Sequence, residues 1–256
     1  MAFVAVTGFR RQIWARLLSG GAPLAITNDD TDPFGPGWSA DSSSLIYYTP
    51  GKQTGESGTI WEVPALGGSR RKLVNALGPG DLSHDGKKLA FFRFREGAIE
   101  LAVASRDLSY TRRVTKVQGP SLYGPRWSTD DQRIAYLSHL GSATFSASLM
   151  VTDASGGMPR VVSSEFDFQG FTWAPDGSGL IVSSARGSSM PYPPTFNLWF
   201  LPWGPVHRGN SPLANLPTSH QTFLRPGRYL QVGYARIRIY GNSQPPVSRV
   251  RTCSTV

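Results

Sequence analysis

Four histidines are the side chains in this sequence best suited to acid–base chemistry or metal binding. His84 and His139 have no companion residue at a metal-ligand spacing, and His207 and His220 lie far along the chain. A hydrolase needs an activated nucleophile with a base and an oxyanion hole, but the sequence contains no Gly-x-Ser-x-Gly elbow. The glycine-rich phosphate loop and the His-Arg-Asp segment of kinases are also missing. We therefore predict that the chain is not an enzyme and has no catalytic residue, cofactor or metal.

A short acidic segment is the other candidate for metal chemistry. Asn28-Asp29-Asp30-Thr31-Asp32 holds three carboxylates in four residues. The segment does not continue as a calcium-binding loop with a glutamate at its twelfth position. The single cysteine, Cys253, can build neither a disulfide framework nor a thiolate metal cage. We interpret the acidic segment as an exposed loop.

The net charge of +9 raises the question of nucleic-acid binding. Residues 203–256 contain seven arginines and no acidic residue, whereas residues 1–202 carry 19 basic and 17 acidic side chains. The basic excess therefore belongs to the tail, and no nucleic-acid partner is predicted. No apolar run approaches the roughly 20 residues of a membrane span. Met1 to Val6 is too short for a signal-peptide core, so no compartment is predicted.

An internal repeat organises residues 1–202. Four segments contain an aspartate after a serine or alanine, and these aspartates are 44, 45 and 46 residues apart. The residue three positions before each aspartate is tryptophan or leucine. The aspartates are Asp41, Asp85, Asp130 and Asp176, and the preceding residues are Trp38, Leu82, Trp127 and Trp173.

A second motif follows each copy of the first. Ile60-Trp61-Glu62-Val63 leads to Gly67-Gly68 and then to a basic segment, and Trp14 and Trp199 lie in related segments. The Ser-x-Asp-Gly segments predict tight turns, because Asp bonds its own backbone and Gly accepts positive φ. Each unit of about 45 residues thus predicts four antiparallel strands. A four-stranded sheet cannot bury both faces alone, so the units must stack radially as a β-propeller. We expect the tryptophans to pack between blades.

The repeat resembles that of TolB-like propellers, which are related to WD repeats. The resemblance rests on Trp-Ser-x-Asp-Gly followed by Ile-Trp and Gly-Gly, and covers roughly residues 2–202. It implies a binding or sensor module without catalysis. Similar repeats occur in TolB, a periplasmic partner of a lipoprotein, and in the propellers of prolyl-oligopeptidase-like peptidases. They also occur in bacterial sensors joined to a serine/threonine kinase or a winged-helix domain, and these three settings stay open.

The predicted propeller is incomplete, with about four and a half blades. We place the blades near residues 1–33, 34–77, 78–121, 122–167 and 168–202. The first begins at its second strand, because Ala2 to Val6 aligns with Leu45 to Thr49. The tail at 203–256 lacks the repeat, which is consistent with out-of-frame translation or with disorder. We therefore expect a fragment of a larger bacterial signalling protein.

The expected binding site lies at one end of the propeller channel, where the connections between blades converge. A protein partner or a small ligand would bind there. The candidate connections contain Leu77-Gly78-Pro79, Tyr123-Gly124 and Asp167-Phe168-Gln169, together with the acidic segment. The candidate residues are Asp29, Asp30, Tyr123 and Asp167.

Overall fold

The computed structural model describes residues 1–28, 30–53, 56–119, 123–139, 147–164, 167–184, 197–203, 229–232 and 235–238. Their regular secondary structure consists of β-strands, with no helix in the described ranges. This confirms the all-β prediction. The chain forms two compact units, Met1–Glu165 and Phe166–Val256.

The first unit contains four antiparallel sheets, each with its strands in sequence order. Successive strands are joined by short turns, as the evenly spaced turn residues predict. The first sheet comprises β1 (Ala2–Thr7), β2 (Arg10–Ala15) and β3 (Leu24–Ala25). The second comprises β4 (Phe34–Trp38), β5 (Ser44–Thr49), β6 (Gly58–Pro64) and β7 (Arg71–Ala76). The third comprises β8 (Asp81–Leu82), β9 (Lys88–Arg95), β10 (Ala98–Ser105) and β11 (Thr111–Val117), and the fourth comprises β12 (Arg126–Trp127), β13 (Arg133–His139), β14 (Ala147–Asp153) and β15 (Arg160–Ser163).

The second unit contains one further sheet of the same kind. Its strands are β16 (Phe168–Trp173), β17 (Gly179–Ser184) and β18 (Asn197–Pro202), again paired antiparallel in sequence order. The rings of Trp173 and Trp203 meet edge to face at 6.0 Å. Trp203 and a hairpin of β19 (Tyr229–Val232) and β20 (Ala235–Arg238) are the described parts of the tail. The rest of the predicted atypical tail lies outside the described residues.

The apolar strands predicted from the repeat form the core between consecutive sheets. One cluster joins the first and second sheets through Ile13, Ile26, Leu45, Tyr47 and Val63. Two further clusters join the second sheet to the third and the third to the fourth. In the last of these, Phe92 meets Tyr136 edge to face at 6.2 Å, and Trp127 is buried. Face-to-face stacking of neighbouring sheets thus buries what a single sheet would leave in water.

The Ser-x-Asp turns share one hydrogen-bond pattern. The hydroxyl of Ser39 donates to Asp41 at 2.6 Å, and Asp41 also accepts the backbone N–H of Ser43 at 3.1 Å. The hydrogen bond from Ser39 is the main reason why the pKa of Asp41 falls to about 2. Asp85 and Asp130 accept the same serine hydroxyl bond, from Ser83 and Ser128. Asp176 follows Ala174 in place of the serine and accepts the backbone N–H of Ser178. The residue after the aspartate has a left-handed backbone in all four, at Ser42, Gly86, Asp131 and Gly177.

Candidate functional site

The topology of the first unit separates two ends of its sheets. Neighbouring strands run antiparallel, so every second connection lies at the same end of the sheets. One end holds the connections into β4, β8 and β12, together with the β1–β2, β5–β6 and β9–β10 turns. We call this the channel end. The Ser-x-Asp turns lie at the opposite end, which we call the turn end, together with the tips that lead into β3, β7, β11 and β15.

The backbone is tightly packed at the channel end, where β4, β8 and β12 begin; we call these first strands of their sheets the inner strands. A Cβ added to Gly124 would lie 2.5 Å from the carbonyl oxygen of Pro79, and one added to Gly35 would lie 2.9 Å from the Cβ of Pro79. Both glycines have a left-handed backbone, with φ of +67° and +58°. Only glycine fits such a close approach without displacing Pro79, in the connection that leads into β8. The starting points of β4, β8 and β12 are therefore held close together.

The predicted site residues occupy different places. Tyr123 is half-buried beside Gly124, and burial raises the pKa of its hydroxyl. Asp30 is exposed and pairs with Arg10 at 2.6 Å. Asp167 belongs to the second unit, where it accepts a hydrogen bond from the hydroxyl of Ser184. Asp29 lies outside the described residues. The structure therefore places Tyr123 just before β12, and Asp30 in the connection between β3 and β4, where it contacts the first hairpin.

Two exposed phenylalanines at the channel end were not predicted from the sequence. Phe9, in the turn between β1 and β2, is fully exposed, and Phe94, near the end of β9, is 61% exposed. Arg10 follows Phe9, and Arg95 follows Phe94. Aromatic and arginine side chains are enriched in protein interfaces. The available signal was an aromatic residue in a two-residue turn, at Phe9, or near the end of a strand, at Phe94.

A carboxylate between two inner strands was also missed. Asp81 in β8 accepts the backbone N–H of Trp127 in β12 at 2.8 Å, and the indole of Trp127 donates to the carbonyl of Asp81 at 3.1 Å. Burial raises the pKa of Asp81, although the nearby positive charge of Arg126 opposes this. These contacts join the third sheet to the fourth. Their geometry gives Asp81 a role in holding the channel wall together.

The described residues offer no group of three or more His, Cys, Asp and Glu side chains that could hold a metal ion. Nor do these ranges include a helix with the length and hydrophobicity of a membrane span. His84 lies 3.3 Å from Asp131 through its Nδ1, and both residues are at the turn end. His139 lies at the end of β13.

Comparison with known proteins identifies the fold but does not assign the chain to a family. No family model matches the chain, and no curated protein matches it. TolB from Acinetobacter baumannii is similar in structure, with a TM-score of 0.61 and 14% identity over 98% of this chain and 60% of that one. The chain thus spans less than two thirds of the length of TolB. A nidogen/laminin complex has a TM-score of 0.55, with 13% identity over 72% of this chain and 70% of that one.

An enzyme is among the similar structures. Oligogalacturonate lyase from Vibrio parahaemolyticus has a TM-score of 0.53, with 13% identity over 79% of this chain and 58% of that one. Identities this low establish the fold alone, because one fold carries many unrelated activities. The fold is a TolB-like β-propeller, as the repeat predicted.

Proposed function

We propose that the chain is a non-catalytic binding module that recognises a protein partner through the channel end of its propeller. The observation that carries this proposal is the exposure of Phe9 and Phe94 on two hairpins of that end, each followed by an arginine. A lone exposed apolar residue is ordinary. Two aromatic rings with adjacent guanidinium groups on one end supply the side chains that dominate binding energy in protein interfaces.

The scaffold supports the same assignment. The inner strands are fixed to one another by the Gly35, Pro79 and Gly124 contacts and by the hydrogen bonds between Asp81 and Trp127. A rigid wall holds the connections in place, so little conformational entropy is lost when a partner binds. Binding residues are commonly carried on such loops above a rigid scaffold. The nidogen/laminin structure supports the proposal only as an example of the fold in a protein complex.

Site-specific photo-crosslinking tests the proposal. A photoreactive amino acid at position 9 or 94 should link the chain to its partner in cell extract, and mass spectrometry then identifies the linked protein. The matched control is the same amino acid at Lys87, which is exposed in the turn between β8 and β9 at the turn end. With the purified partner, Phe9→Ser and Phe94→Ser should each weaken binding about tenfold or more. Equal crosslinking at position 87, or unchanged affinity in both variants, would contradict the proposal.

The absence of catalysis needs its own measurement. A fluorophosphonate probe reacts with the activated serine of hydrolases, and the purified chain should remain unlabelled under conditions that label a serine peptidase. Labelling that disappears after heat denaturation would reveal an active serine. The non-catalytic proposal would then be wrong.

A further inference from the structure

The turn end of the first unit carries more than half of the exposed large apolar side chains of the described residues. Four hairpin tips connect the last two strands of each sheet in the first unit. They comprise residues 16–24, 65–72, 106–112 and 154–160. Leu66 is 85% exposed and Met158 is 92% exposed. Of the 12 most exposed large apolar side chains in the described residues, seven lie in these tips. They are Leu17, Leu18, Leu24, Leu66, Leu108, Tyr110 and Met158.

Positive charge is concentrated in the same tips, which we call the tip rim. The rim holds seven basic side chains but one acidic residue, Asp107. Residues 1–202 as a whole have 19 basic and 17 acidic residues, so the remainder of that region is net negative. The basic residues of the rim are Arg16, Arg70, Arg71, Lys72, Arg106, Arg112 and Arg160. Apolar and cationic side chains therefore coincide on four successive sheets.

Some rim cations also serve the fold. Arg71 donates to Glu62 at 2.6 Å, and Arg106 donates to the same carboxylate. The guanidinium of Arg70 lies 4.1 Å from the centre of the Trp61 ring. The Arg71 and Arg70 contacts hold guanidinium groups at the edge of the sheet. Lys72 is exposed on β7.

The arrangement fits a flat anionic surface better than a folded protein. A helix or strand of a partner needs a continuous apolar groove or a free strand edge. Here the apolar side chains stand on separate hairpins of stacked sheets, about 10 Å or more apart. At a membrane surface, each apolar side chain enters the headgroup region independently while basic residues attract anionic lipids.

We propose that the tip rim binds the surface of an anionic membrane. The leucines and Met158 insert at the level of the headgroups, and the basic side chains bind lipid phosphates and carboxylates. This site is at the opposite end from the proposed protein-binding site and does not depend on it. With the turn end on the membrane, the channel end faces away and stays accessible to a partner.

Vesicle sedimentation with the full chain tests this. Vesicles of phosphatidylcholine with about 30% phosphatidylserine should bind the chain, and pure phosphatidylcholine should bind it far more weakly. Leu66→Ser and Met158→Ser should each reduce binding about tenfold, and Lys72→Gln about fivefold. The matched controls, Val6→Ser and Lys116→Gln, change an exposed apolar and an exposed basic residue outside the rim and should leave binding unchanged.

The comparison of point variants also separates the rim from the arginine-rich tail. The tail is identical in every variant, so its contribution to vesicle binding is constant. Binding to phosphatidylserine vesicles that is unaffected by the rim variants, or equally reduced by the controls, would overturn the proposal. So would the absence of binding to these vesicles. Rim-dependent binding to polyglutamate without binding to vesicles would instead make the rim a site for an acidic protein.

Discussion

The carboxylate of Asp131 accepts the backbone N–H of His84 at 2.7 Å, across the boundary between the third and fourth sheets. It also accepts the N–H of Asp85 at 2.9 Å, so one side chain satisfies two amides of the neighbouring turn. Asp131 has a left-handed backbone, with φ of +55°, where the equivalent turns have Gly86 and Gly177. The cost of that conformation is about 1–2 kcal/mol. The contact between sheets offsets this cost.

Two replacements of Asp131 should therefore distinguish the stabilisation by its two hydrogen bonds from the cost of its left-handed backbone. Asp131→Ala loses both hydrogen bonds and keeps the strain, and we expect it to lower the free energy of unfolding by about 2–3 kcal/mol. Asp131→Gly also relieves the strain, so its loss should be about 1 kcal/mol. Urea denaturation measures both variants. Ser42→Gly, at the same position of another turn, is the control and should be neutral or slightly stabilising. Equal stability of Asp131→Ala and the parent would show that the contact contributes nothing.

Asp81 should make stability depend on pH in the direction opposite to the turn aspartates. Its folded-state pKa is raised by burial, so ionisation lowers stability as pH rises from the unfolded pKa, about 3.9, through the folded value. Asp81→Asn retains an acceptor for Trp127 and removes the buried charge. We expect a higher melting temperature for the variant at pH 7, and a smaller gain as the pH falls towards 4.

The control for this prediction is Asp85→Asn. A hydrogen bond from Ser83 lowers the pKa of Asp85, so its ionised form adds stability that is present above the unfolded pKa and is lost as pH falls through the folded one. The Asp85 variant should therefore be less stable than the parent at pH 7. A loss of stability in Asp81→Asn at pH 7 would contradict the inference that the ionised carboxylate of Asp81 destabilises the fold.

Arg106 should be more important for stability than its partial exposure indicates. It extends from the third sheet to Glu62 and Ser44 of the second, and Glu62 is buried. Burial opposes the ionisation of Glu62, but hydrogen bonds from Arg71, Arg106 and Ser44 outweigh it and lower its pKa. Arg106→Ala leaves this carboxylate with a single cationic partner. We expect a loss of about 2 kcal/mol in urea denaturation.

An exposed ion pair of the same chain is the control for Arg106. Arg95 pairs with Glu96 at 3.2 Å, and both side chains are more than half exposed. Arg95→Ala should change stability by less than about 0.5 kcal/mol, because surface ion pairs contribute little. Since the Glu62 contribution is lost as pH falls through its lowered pKa, the penalty of Arg106→Ala should shrink in acid. Similar losses for the two variants would contradict the argument.

The fold was predictable from the sequence because the repeat encodes it locally. The turn aspartates and the apolar second strands recur with the same period, and each forms the same structure in successive sheets. The Gly-Gly tips recur in the first, second and fourth sheets. Asp81 could not be assigned in this way. The positions equivalent to it are Gly37, Arg126 and Thr172, so the repeat carries no signal there. Its role depends on a neighbouring strand 46 residues away.

The candidate site was only partly predictable for a similar reason. Propeller topology pointed to the connections, and Tyr123 does lie beside the start of an inner strand. Phe9 was missed because alternation within a strand says nothing about the turn beyond it. Phe94 was missed because alternation does not show that the buried part of β9 ends before this residue. The tip rim and the channel end are seen only in the structure, where equivalent hairpins of several sheets lie at the same end of the first unit.

Trp14 offers a test of the repeat at the level of one hydrogen bond. In the second sheet, the indole N–H of Trp61 donates to the hydroxyl of Thr49 at 2.9 Å. The strand pairing shifts the alignment expected from the sequence by one residue, so Ala5, not Val6, is at the position of Thr49. Among the described residues, the buried indole nitrogen of Trp14 has no hydrogen-bond partner. Ala5→Thr should supply the missing acceptor and raise the free energy of unfolding by about 1 kcal/mol. Thr49→Ala should create the same defect in the second sheet and lower it by about 1–2 kcal/mol, and urea denaturation compares the two. A stabilised Ala5→Thr and a destabilised Thr49→Ala would show that a threonine at this position satisfies the tryptophan in both sheets. A destabilised Ala5→Thr variant would mean that the space beside Trp14 cannot hold a threonine.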